Sequence, residues 1–250
     1  MTDSATKTKN YTKVFCLLSG GVDSSTTLAI AAKEYPDSPI ECVTVDYGQR
    51  HKKEMECATV QARWHDATHH ILDLSGLLQG MLVDKGEDNE EIPDVSYADL
   101  PVGMSPTYVS FRNGTMLSLL AARAQAWVMA MEATGEVAEA VIYCGVHADD
   151  GANWSYPDCT PEFIGGMANA IYIGTYNKVR LRAPLQYDTK EQVVWKGLQL
   201  DVDFANTWSC YKGEEKHCGI CPTCRSRREA FELCGEKDPA EYTHTLEDLS

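Results

Sequence analysis

The chain has 250 residues, of which 44% are hydrophobic, and a formal net charge of -15. This length can bury one α/β core with a small appendage, whereas the acidic charge opposes general binding to nucleic acid. No apolar run approaches the roughly 20 residues of a membrane span and the first residues lack the apolar core of a secretion signal, so we expect a cytoplasmic protein without nucleic-acid or membrane partners.

Strands and helices alternate along the chain after residues 1–10, which are polar and expected to form a flexible extension. The strands are predicted at 13–18, 40–46, 69–73, 140–146 and 178–183. The helices are predicted at 23–34, 50–64, 112–132, 161–174 and 189–200. This alternation predicts a doubly wound, Rossmann-like parallel sheet with helices on both faces. The stretch 79–106, rich in acidic residues, Gly and Pro, is predicted to be a mobile segment over the active site.

The segment between the first predicted strand and the first helix reads Ser19-Gly20-Gly21-Val22-Asp23-Ser24-Ser25. Two glycines allow a sharp turn and a close approach to a ligand, and the free N–H groups of the new helix favour an anion. Strand-to-helix turns also carry such residues for structural reasons, but the strand before and the helix after favour a phosphate-binding loop. No lysine follows, so this is not the G-x-x-x-x-G-K-S/T loop. It is similar to the S-G-G-x-D-S signature of the PP-loop ATP pyrophosphatases, which adenylate a substrate oxygen.

Four of the ten cysteines lie close together near the C-terminus, as Cys210, Cys218, Cys221 and Cys224. Glycines and a proline between them allow the sulfurs to converge, and four thiolates favour a tetrahedral, structural Zn²⁺ site. An iron–sulfur cluster and a redox dithiol stay open as alternatives on spacing alone, and His217 is an alternative ligand. We therefore predict a small zinc-binding lobe over 206–250, beside an ATP-binding α/β domain over 11–205.

Further motifs occur in one order along the chain, as Asp46-Tyr47-Gly48-Gln49-Arg50-His51, Arg112-Asn113, Tyr156-Pro157-Asp158-Cys159 and Ser209-Cys210-Tyr211. Together with the loop and the cysteines, they resemble the family of 7-cyano-7-deazaguanine synthases of the queuosine pathway, over about residues 13–235. The resemblance implies a PP-loop fold like that of the adenine nucleotide alpha hydrolases. It also implies conversion of 7-carboxy-7-deazaguanine, ammonia and ATP to the nitrile, through an adenylated acid, an amide and a second activation of that amide.

The resemblance implies roles for individual residues, with Mg²⁺ accompanying ATP. The expected catalytic residues are Ser19, Asp23 and Arg112, and Asp23 is also a candidate helix N-cap. ATP contacts are expected from Leu18, Ser19, Gly20, Gly21, Val22, Asp23, Ser24, Ser25, Asp46, Tyr47 and Gln49. Substrate contacts are expected from Arg50, Arg112, Asn113, Tyr156 and Asp158. For Tyr47 among the ATP contacts and Asp158 among the substrate contacts, a plain structural turn is the alternative explanation. A positive charge in the first turn of a helix, such as that of Arg112, interacts unfavourably with the helix dipole unless an anion lies nearby. The position of Arg112 therefore favours a role in an anion-binding site.

One departure from the family pattern is Ser110-Phe111 in place of an expected Pro-Gly, which would set an aromatic ring beside the anion site. The competing functions are a relative that stops at the amide, a tRNA-thiolating PP-loop enzyme, a glutamine-dependent amidotransferase synthetase and a non-catalytic zinc module. The acidic charge argues against tRNA, although Arg225, Arg227 and Arg228 leave a local basic patch open. The length leaves no room for a glutaminase domain. A homodimer is compatible with the sequence.

Overall fold

The computed structural model describes residues 10–47, 52–78, 102, 103, 105, 108–212 and 215–244. Its strands are β1 (Asn10–Leu17), β2 (Ile40–Asp46), β3 (Thr68–Asp73), β4 (Val137–Tyr143) and β5 (Val179–Arg182). They form one parallel sheet in the order β3-β2-β1-β4-β5. The predicted α/β class and the parallel sheet are confirmed.

The helices of the described residues are α1 (Val22–Glu34), α2 (Lys52–Trp64), α3 (Ser75–Leu78), α4 (Arg112–Ala133), α5 (Ala148–Gly151), α6 (Pro161–Gly174), α7 (Lys190–Gln199) and α8 (Pro222–Leu233). The predicted helices correspond to α1, α2, α4, α6 and α7, and residues 50 and 51 lie outside the described part of the chain. α8 was not predicted, because its sequence is polar on average and begins within the cysteine cluster, which was interpreted only as a metal site. None of these helices combines the length and the hydropathy that a membrane span requires.

β4 begins and ends three residues earlier than predicted. The prediction followed the apolar run at 140–146, whereas the ladder already begins with Val137 opposite Asn10 of β1. Cys144, Gly145 and Val146 follow the strand at the edge of the sheet. Asn10 therefore belongs to the sheet, and the prediction that the flexible extension includes residue 10 is wrong. The rest of that extension, and all of the segment 79–106 except 102, 103 and 105, lie outside the described residues.

Alternate residues of β1 face two separate helical layers, as the two-residue period of a strand requires. Phe15 packs in one buried cluster with Leu117 of α4 and with residues of α6. Cys16 packs in another cluster with Leu28 of α1 and Ala62 of α2. The sheet is therefore covered on both faces, and the carboxyl ends of its strands are the edge at which such folds bind ligands.

The C-terminal segment is anchored by a buried arginine. Arg227 of α8 is 0% exposed and donates to both carboxylate oxygens of Asp238, at 2.8 and 3.0 Å. A further guanidinium nitrogen donates to Thr207 Oγ1 at 2.7 Å. Its neighbour Arg228 stacks on Tyr242, 3.7 Å from the ring centroid. The possible basic surface patch on this helix does not include Arg227, because its charge is buried in an ion pair with Asp238.

Candidate active site

A cleft of about 260 Å³ opens at the carboxyl ends of β1, β2 and β4. β1 and β4 are neighbours at the centre of the sheet, and this reversal of strand order is where doubly wound sheets bind ligands. The cleft is also lined by the first turns of α2, α4 and α7 and by residues of the C-terminal segment. The charged residues that line it in the described part of the chain are Asp23, Glu54, Asp149, Asp150, Arg112 and Lys190.

The loop between β1 and α1 is held by hydrogen bonds among its own residues. Ser19 Oγ and Ser24 Oγ lie 3.0 Å apart. The backbone N–H of Ser19 donates to Ser24 Oγ, and that of Gly21 donates to Ser19 Oγ. Gly21 is the N-cap of α1 and offers no side chain to the first N–H groups of the helix. These N–H groups and the two hydroxyls can bind phosphate oxygens.

Two glycines bring neighbouring backbone close to this loop. Gly20 has a φ of +86°, which disfavours other residues, and a Cβ there would lie 2.2 Å from the carbonyl oxygen of Glu54. A Cβ on Gly145, which follows β4, would lie 2.9 Å from Ser24 N. The loop is therefore packed between α2 and the end of β4. Ser25 differs from the other loop serines, because its hydroxyl is buried, has no hydrogen-bond partner among the described residues and does not line the cleft.

Asp23 contacts a lysine that the sequence analysis did not single out. Lys190 Nζ donates to both carboxylate oxygens of Asp23, at 2.6 and 2.7 Å, and His147 Nε2 lies 3.7 Å away. Burial alone would raise the pKa of Asp23, but the charges of Lys190 and His147 outweigh burial and lower it. Asp23 does not cap α1, because Gly21 is at the N-cap position. The N-cap alternative for Asp23 is therefore wrong.

His147 connects Asp23 to a second carboxylate. His147 Nε2 lies 3.3 Å from Asp150 Oδ1; burial raises the pKa of Asp150, and the charge of His147 offsets part of the rise. The backbone N–H of Lys190 donates to Asp149 Oδ2 at 2.7 Å. Among the described residues, four carboxylates and two cations line the cleft. A polyphosphate would therefore enter it more favourably together with a divalent cation.

Arg112, the first residue of α4, lines the cleft together with Tyr47. Its Nη1 donates to the Tyr47 hydroxyl at 3.4 Å. Glu54 of α2 lines the same cleft. Burial raises the pKa of Glu54 to about 7, and the charge of Arg112 offsets only part of that rise. A cation, a phenol and a titratable carboxyl group are thus available to a ligand that lies next to the phosphate-binding loop.

Asn113 and Asp158 fix the start of α4. The backbone N–H of Asn113 donates to Asp158 Oδ2 at 2.9 Å, and Asn113 Nδ2 donates to Cys159 Sγ at 3.2 Å. Burial raises the pKa of Asp158, and the hydrogen bond from Asn113 partly opposes this. Tyr156 accepts a hydrogen bond from the Ser105 hydroxyl at 3.0 Å. Asn113 and Tyr156 line the cleft, whereas Asp158 does not.

The ring of Phe111 does not line the cleft. It packs edge-on against Phe163, with ring centroids 5.5 Å apart, and fills the space beside Gly114, where a Cβ would lie 2.3 Å from the ring. Phe111 has a φ of +53°, a left-handed conformation that glycine adopts far more readily. The expectation that this ring would stand beside the anion site is therefore wrong.

The four sulfurs of the cysteine cluster lie within 4.8 Å of one another and are buried, and they belong to Cys210, Cys218, Cys221 and Cys224. A tetrahedral Zn²⁺ with Zn–S bonds of about 2.3 Å needs sulfurs roughly 3.8 Å apart, so these residues fit a four-thiolate site. His217 is not part of this group. Its Nε2 accepts a hydrogen bond from the backbone N–H of Ser209 at 3.2 Å. Ser209 and Tyr211, on either side of Cys210, line the cleft.

The structure brings most of the predicted site residues together. Those that line the cleft are Leu18, Ser19, Gly21, Val22, Asp23, Ser24, Tyr47, Arg112, Asn113 and Tyr156. Those that do not line it are Gly20, Ser25, Asp46 and Asp158, and Gln49 and Arg50 lie outside the described residues. The sequence analysis missed Glu54 and Lys190. Glu54 could have been found from its place shortly after the Asp46–His51 motif, whereas nothing local distinguishes Lys190 from a surface lysine.

Comparison with known proteins points to one family. The sequence model of the family described as "Queuosine biosynthesis protein QueC" matches residues 13–235. A Colwellia psychrerythraea protein named 7-cyano-7-deazaguanine synthase 1 is 35% identical over 230 residues, which cover 92% of this chain and 98% of the relative. Proteins named 7-cyano-7-deazaguanine synthase from Thermoplasma acidophilum and Methanoregula boonei are 36% and 35% identical. These alignments cover 92% of this chain and, respectively, 92% and 99% of the relatives.

Proposed function

The chain belongs to the family of the queuosine biosynthesis protein QueC, and we propose that it converts 7-carboxy-7-deazaguanine and ammonia to 7-cyano-7-deazaguanine with the use of ATP. It is an enzyme of the 7-cyano-7-deazaguanine synthase type, an ATP-dependent ligase that forms carbon–nitrogen bonds. The observation that carries the proposal is the cleft that the serine-containing loop lines together with Arg112 and Tyr47. Such a cleft suits ATP beside a planar carboxylic acid.

The loop after β1 is the proposed ATP site. The free N–H groups of α1 and the hydroxyls of Ser19 and Ser24 would bind the phosphates, and the Lys190 ammonium would exchange its contact with Asp23 for a phosphate oxygen. Asp23 would then be available to Mg²⁺, which supplies the charge that offsets the surplus of carboxylates. A carboxylate oxygen of the substrate attacks the α-phosphate, pyrophosphate leaves, and the acid becomes an acyl adenylate with AMP as its leaving group.

Arg112 is the proposed contact for the substrate carboxylate and, after adenylation, for the phosphate of the intermediate. It opens α4, so the free N–H groups of this helix favour the same negative charge. Asn113 and Tyr156, which line the cleft nearby, are the proposed contacts for the deazapurine ring, supported by Asp158. Asp46, Gln49 and Arg50 remain proposed contacts on the strength of the family resemblance.

We propose that Cys210, Cys218, Cys221 and Cys224 bind one structural Zn²⁺, because their sulfurs are close enough to share one ion. Four thiolates leave no coordination position for water, so this Zn²⁺ would not catalyse the reaction. The segment 206–250 would then be a zinc-binding lobe on the α/β domain of 11–205. Its proposed contribution to the site is to hold the wall formed by Ser209 and Tyr211.

All ten cysteines are unpaired thiols, which supports the proposal that the protein works in a reducing cytoplasm. A homodimer is the proposed assembly, supported by the exposed Ile173 and Tyr176 at the end of α6, a helix whose single charged residue is Glu162. Light scattering would give the molecular mass in solution. A monomer at micromolar concentration would reject the homodimer.

The proposed reaction is tested by mass spectrometry after incubation with 7-carboxy-7-deazaguanine, ammonia, Mg²⁺ and ATP. We expect the amide and then the nitrile, with AMP and pyrophosphate formed in both activations. The purified amide should also be converted to the nitrile. ADP and orthophosphate as primary products would reject the adenylation mechanism. Amide that accumulates without nitrile, even with excess ATP, would instead identify an amide-forming relative.

A further inference from the structure

Glu54 lines the cleft next to the phosphate-binding loop. Its backbone carbonyl oxygen is so close to Gly20 that a Cβ on the glycine would lie 2.2 Å from it. The position of Glu54 relative to the loop is therefore fixed by direct backbone packing. Its side chain lines the same cleft as Tyr47 and Arg112, where the substrate carboxyl group is proposed to be activated.

Within the part of the chain that the structure describes, Glu54 differs from the other carboxylates of the cleft in having no hydrogen-bond or ion-pair partner. Asp23 is bound by Lys190, Asp149 accepts the backbone N–H of Lys190, and Asp150 pairs with His147. Among the described residues, the Glu54 carboxyl group accepts no hydrogen bond and forms no ion pair within 4.0 Å. A half-buried carboxyl group that serves the fold is normally hydrogen-bonded. No described residue therefore engages the Glu54 carboxyl group, which leaves it available to a reactant.

A plain structural explanation of Glu54 is its place in the first turn of α2, where the helix dipole favours a negative charge. That dipole would lower the pKa of the carboxyl group. Burial instead raises the pKa to about 7, so the ionised form is disfavoured where it stands. Carboxyl groups whose ionisation is disfavoured by burial are typical of functional sites. A pKa near neutrality also suits a group that both accepts and releases a proton.

The proposed reaction releases a proton wherever ammonia or an amide nitrogen reacts. We propose that Glu54 is the general base that takes these protons, an inference that rests on the proposed function. In the first step the C–N bond forms, the C–O bond to AMP breaks, AMP leaves with the electron pair, and the proton of the attacking nitrogen moves to Glu54. In the second, the amide loses one N–H proton when its oxygen is adenylated and becomes the imidate HN=C(R)–O–AMP. The remaining N–H proton then moves to Glu54, the electron pair of that N–H bond becomes the third C–N bond of the nitrile, and the C–O bond breaks as AMP leaves with its electron pair.

The groups around Glu54 are compatible with this role. Arg112 of α4 bears the charge that offsets part of the burial-induced rise in the Glu54 pKa, and Tyr47 and Tyr211 line the same cleft. On its own helix, Lys53 is directed to the Trp208 ring, 4.5 Å from the centroid. Asp23, Asp149 and Asp150 line the same cleft but are engaged by Lys190 and His147, and the proton that Glu54 accepts can return to solvent through the open cleft.

The experiment compares wild-type protein with Glu54→Gln, Glu54→Asp and the matched control Glu56→Gln, whose side chain is exposed on the same helix. Adenylation is followed alone, as exchange of labelled pyrophosphate into ATP with 7-carboxy-7-deazaguanine and no ammonia. Amide formation is then followed across pH at a constant concentration of un-ionised ammonia. Glu54→Gln should keep exchange within about threefold and lose roughly 100-fold or more in amide formation.

The pH profile separates a base from a residue that only shapes the cleft. Wild-type amide formation should rise with pH to a plateau above about 7, and Glu54→Gln should lose this rise, whereas Glu54→Asp should keep it at a reduced rate. Glu56→Gln should behave as wild type. Wild-type amide formation in Glu54→Gln, or an equal loss of exchange and amide formation, would overturn the role of Glu54. Should Glu54→Gln fail to melt cooperatively, wild-type amide formation in Glu54→Asp would overturn it. Absence of exchange in the wild-type protein would instead reject the substrate, and with it the proposed function.

Discussion

The backbone N–H of Trp208 donates a 2.9 Å hydrogen bond to the carbonyl oxygen of Gly20. This bond joins the segment that carries the cysteine cluster to the phosphate-binding loop. Trp208 also belongs to the buried cluster formed by the four cysteines. A change in the proposed metal site should therefore reach the loop through Trp208, which would couple the proposed metal and nucleotide sites.

The first prediction concerns this coupling. Cys221→Ser should lower the thermal midpoint, because the segment around the cluster has little apolar core to replace the lost coordination. It should also weaken ATP binding, since Trp208 would no longer hold Gly20 in place. Metal analysis, a melting curve and equilibrium binding of ATP measure these effects. Cys234→Ser is the control, because this half-buried thiol lies outside the cluster. Wild-type ATP affinity in a zinc-free Cys221→Ser protein would contradict the coupling.

A second prediction concerns Gly145. A methyl group there would lie 2.9 Å from the backbone of both Asp23 and Ser24, so Gly145→Ala should displace the phosphate-binding loop. We expect the KM for ATP to rise roughly 10- to 100-fold, because small displacements of active-site groups have effects of this size. Steady-state kinetics measure this. Gly166→Ala in α6, where a Cβ meets nothing within 4 Å, is the control and should leave the KM unchanged. An unaltered KM in Gly145→Ala would mean that the loop adjusts without loss.

A third prediction follows from the contact between Phe111 and Gly114. Gly114→Ala should lower the free energy of unfolding by about 1–3 kcal/mol, because its methyl group would overlap the Phe111 ring. In a Phe111→Gly background the ring is gone, and the same change should be neutral or stabilise the helix by up to about 1 kcal/mol. Urea unfolding of the four proteins gives the coupling. Equal costs of Gly114→Ala in both backgrounds would show that the ring is not the obstacle.

The sequence predicted the sheet well because buried parallel strands read as continuous apolar runs. β2, for example, was predicted with its observed ends, Ile40 and Asp46. The same signal misplaced β4, since Cys144, Gly145 and Val146 are as apolar as the strand but follow it at the loop. An apolar run reports burial, and burial does not end where the hydrogen-bonded ladder ends.

Contacts between distant residues could not be predicted in this way. Lys190 and Asp23 are 167 positions apart, and no local pattern says that one lysine of α7 reaches the loop after β1. The direction of the Phe111 ring depends in the same way on Phe163, far along the chain. The residues themselves indicated the loop and the cysteine cluster, and the family resemblance added the motif at Arg112, whereas Glu54 and Lys190 emerged from the packing of separate elements.

A fourth prediction concerns Arg112. Arg112→Ala should slow both activations about 10- to 100-fold, because each forms a negatively charged adenylate that would lose a charge-assisted hydrogen bond. Pyrophosphate exchange with the acid, and AMP release with the purified amide, measure the two steps separately. Arg180→Ala is the control, since its exposed guanidinium stacks on Tyr172 away from the cleft. A loss confined to one step would indicate that Arg112 contacts only one of the two intermediates.

The last prediction concerns stability as a function of pH. Burial raises the pKa of Glu54 from 4.5 to about 7, so the folded protein binds a proton at this carboxyl group that the unfolded chain has already lost. The contribution of Glu54 to the free energy of unfolding should therefore fall as pH rises from 4.5 to 7 and stay low above it. Glu54→Gln cannot ionise. Relative to wild type, it should gain about 1–3 kcal/mol at pH 8 and almost nothing near pH 4.5. Urea unfolding at both pH values measures the difference, and the exposed control Glu56→Gln should show no such change with pH. An equal gain in Glu54→Gln at the two pH values would mean that the wild-type Glu54 carboxyl group has the same pKa in the folded and the unfolded chain. Burial would then no longer support the role of Glu54 as a base.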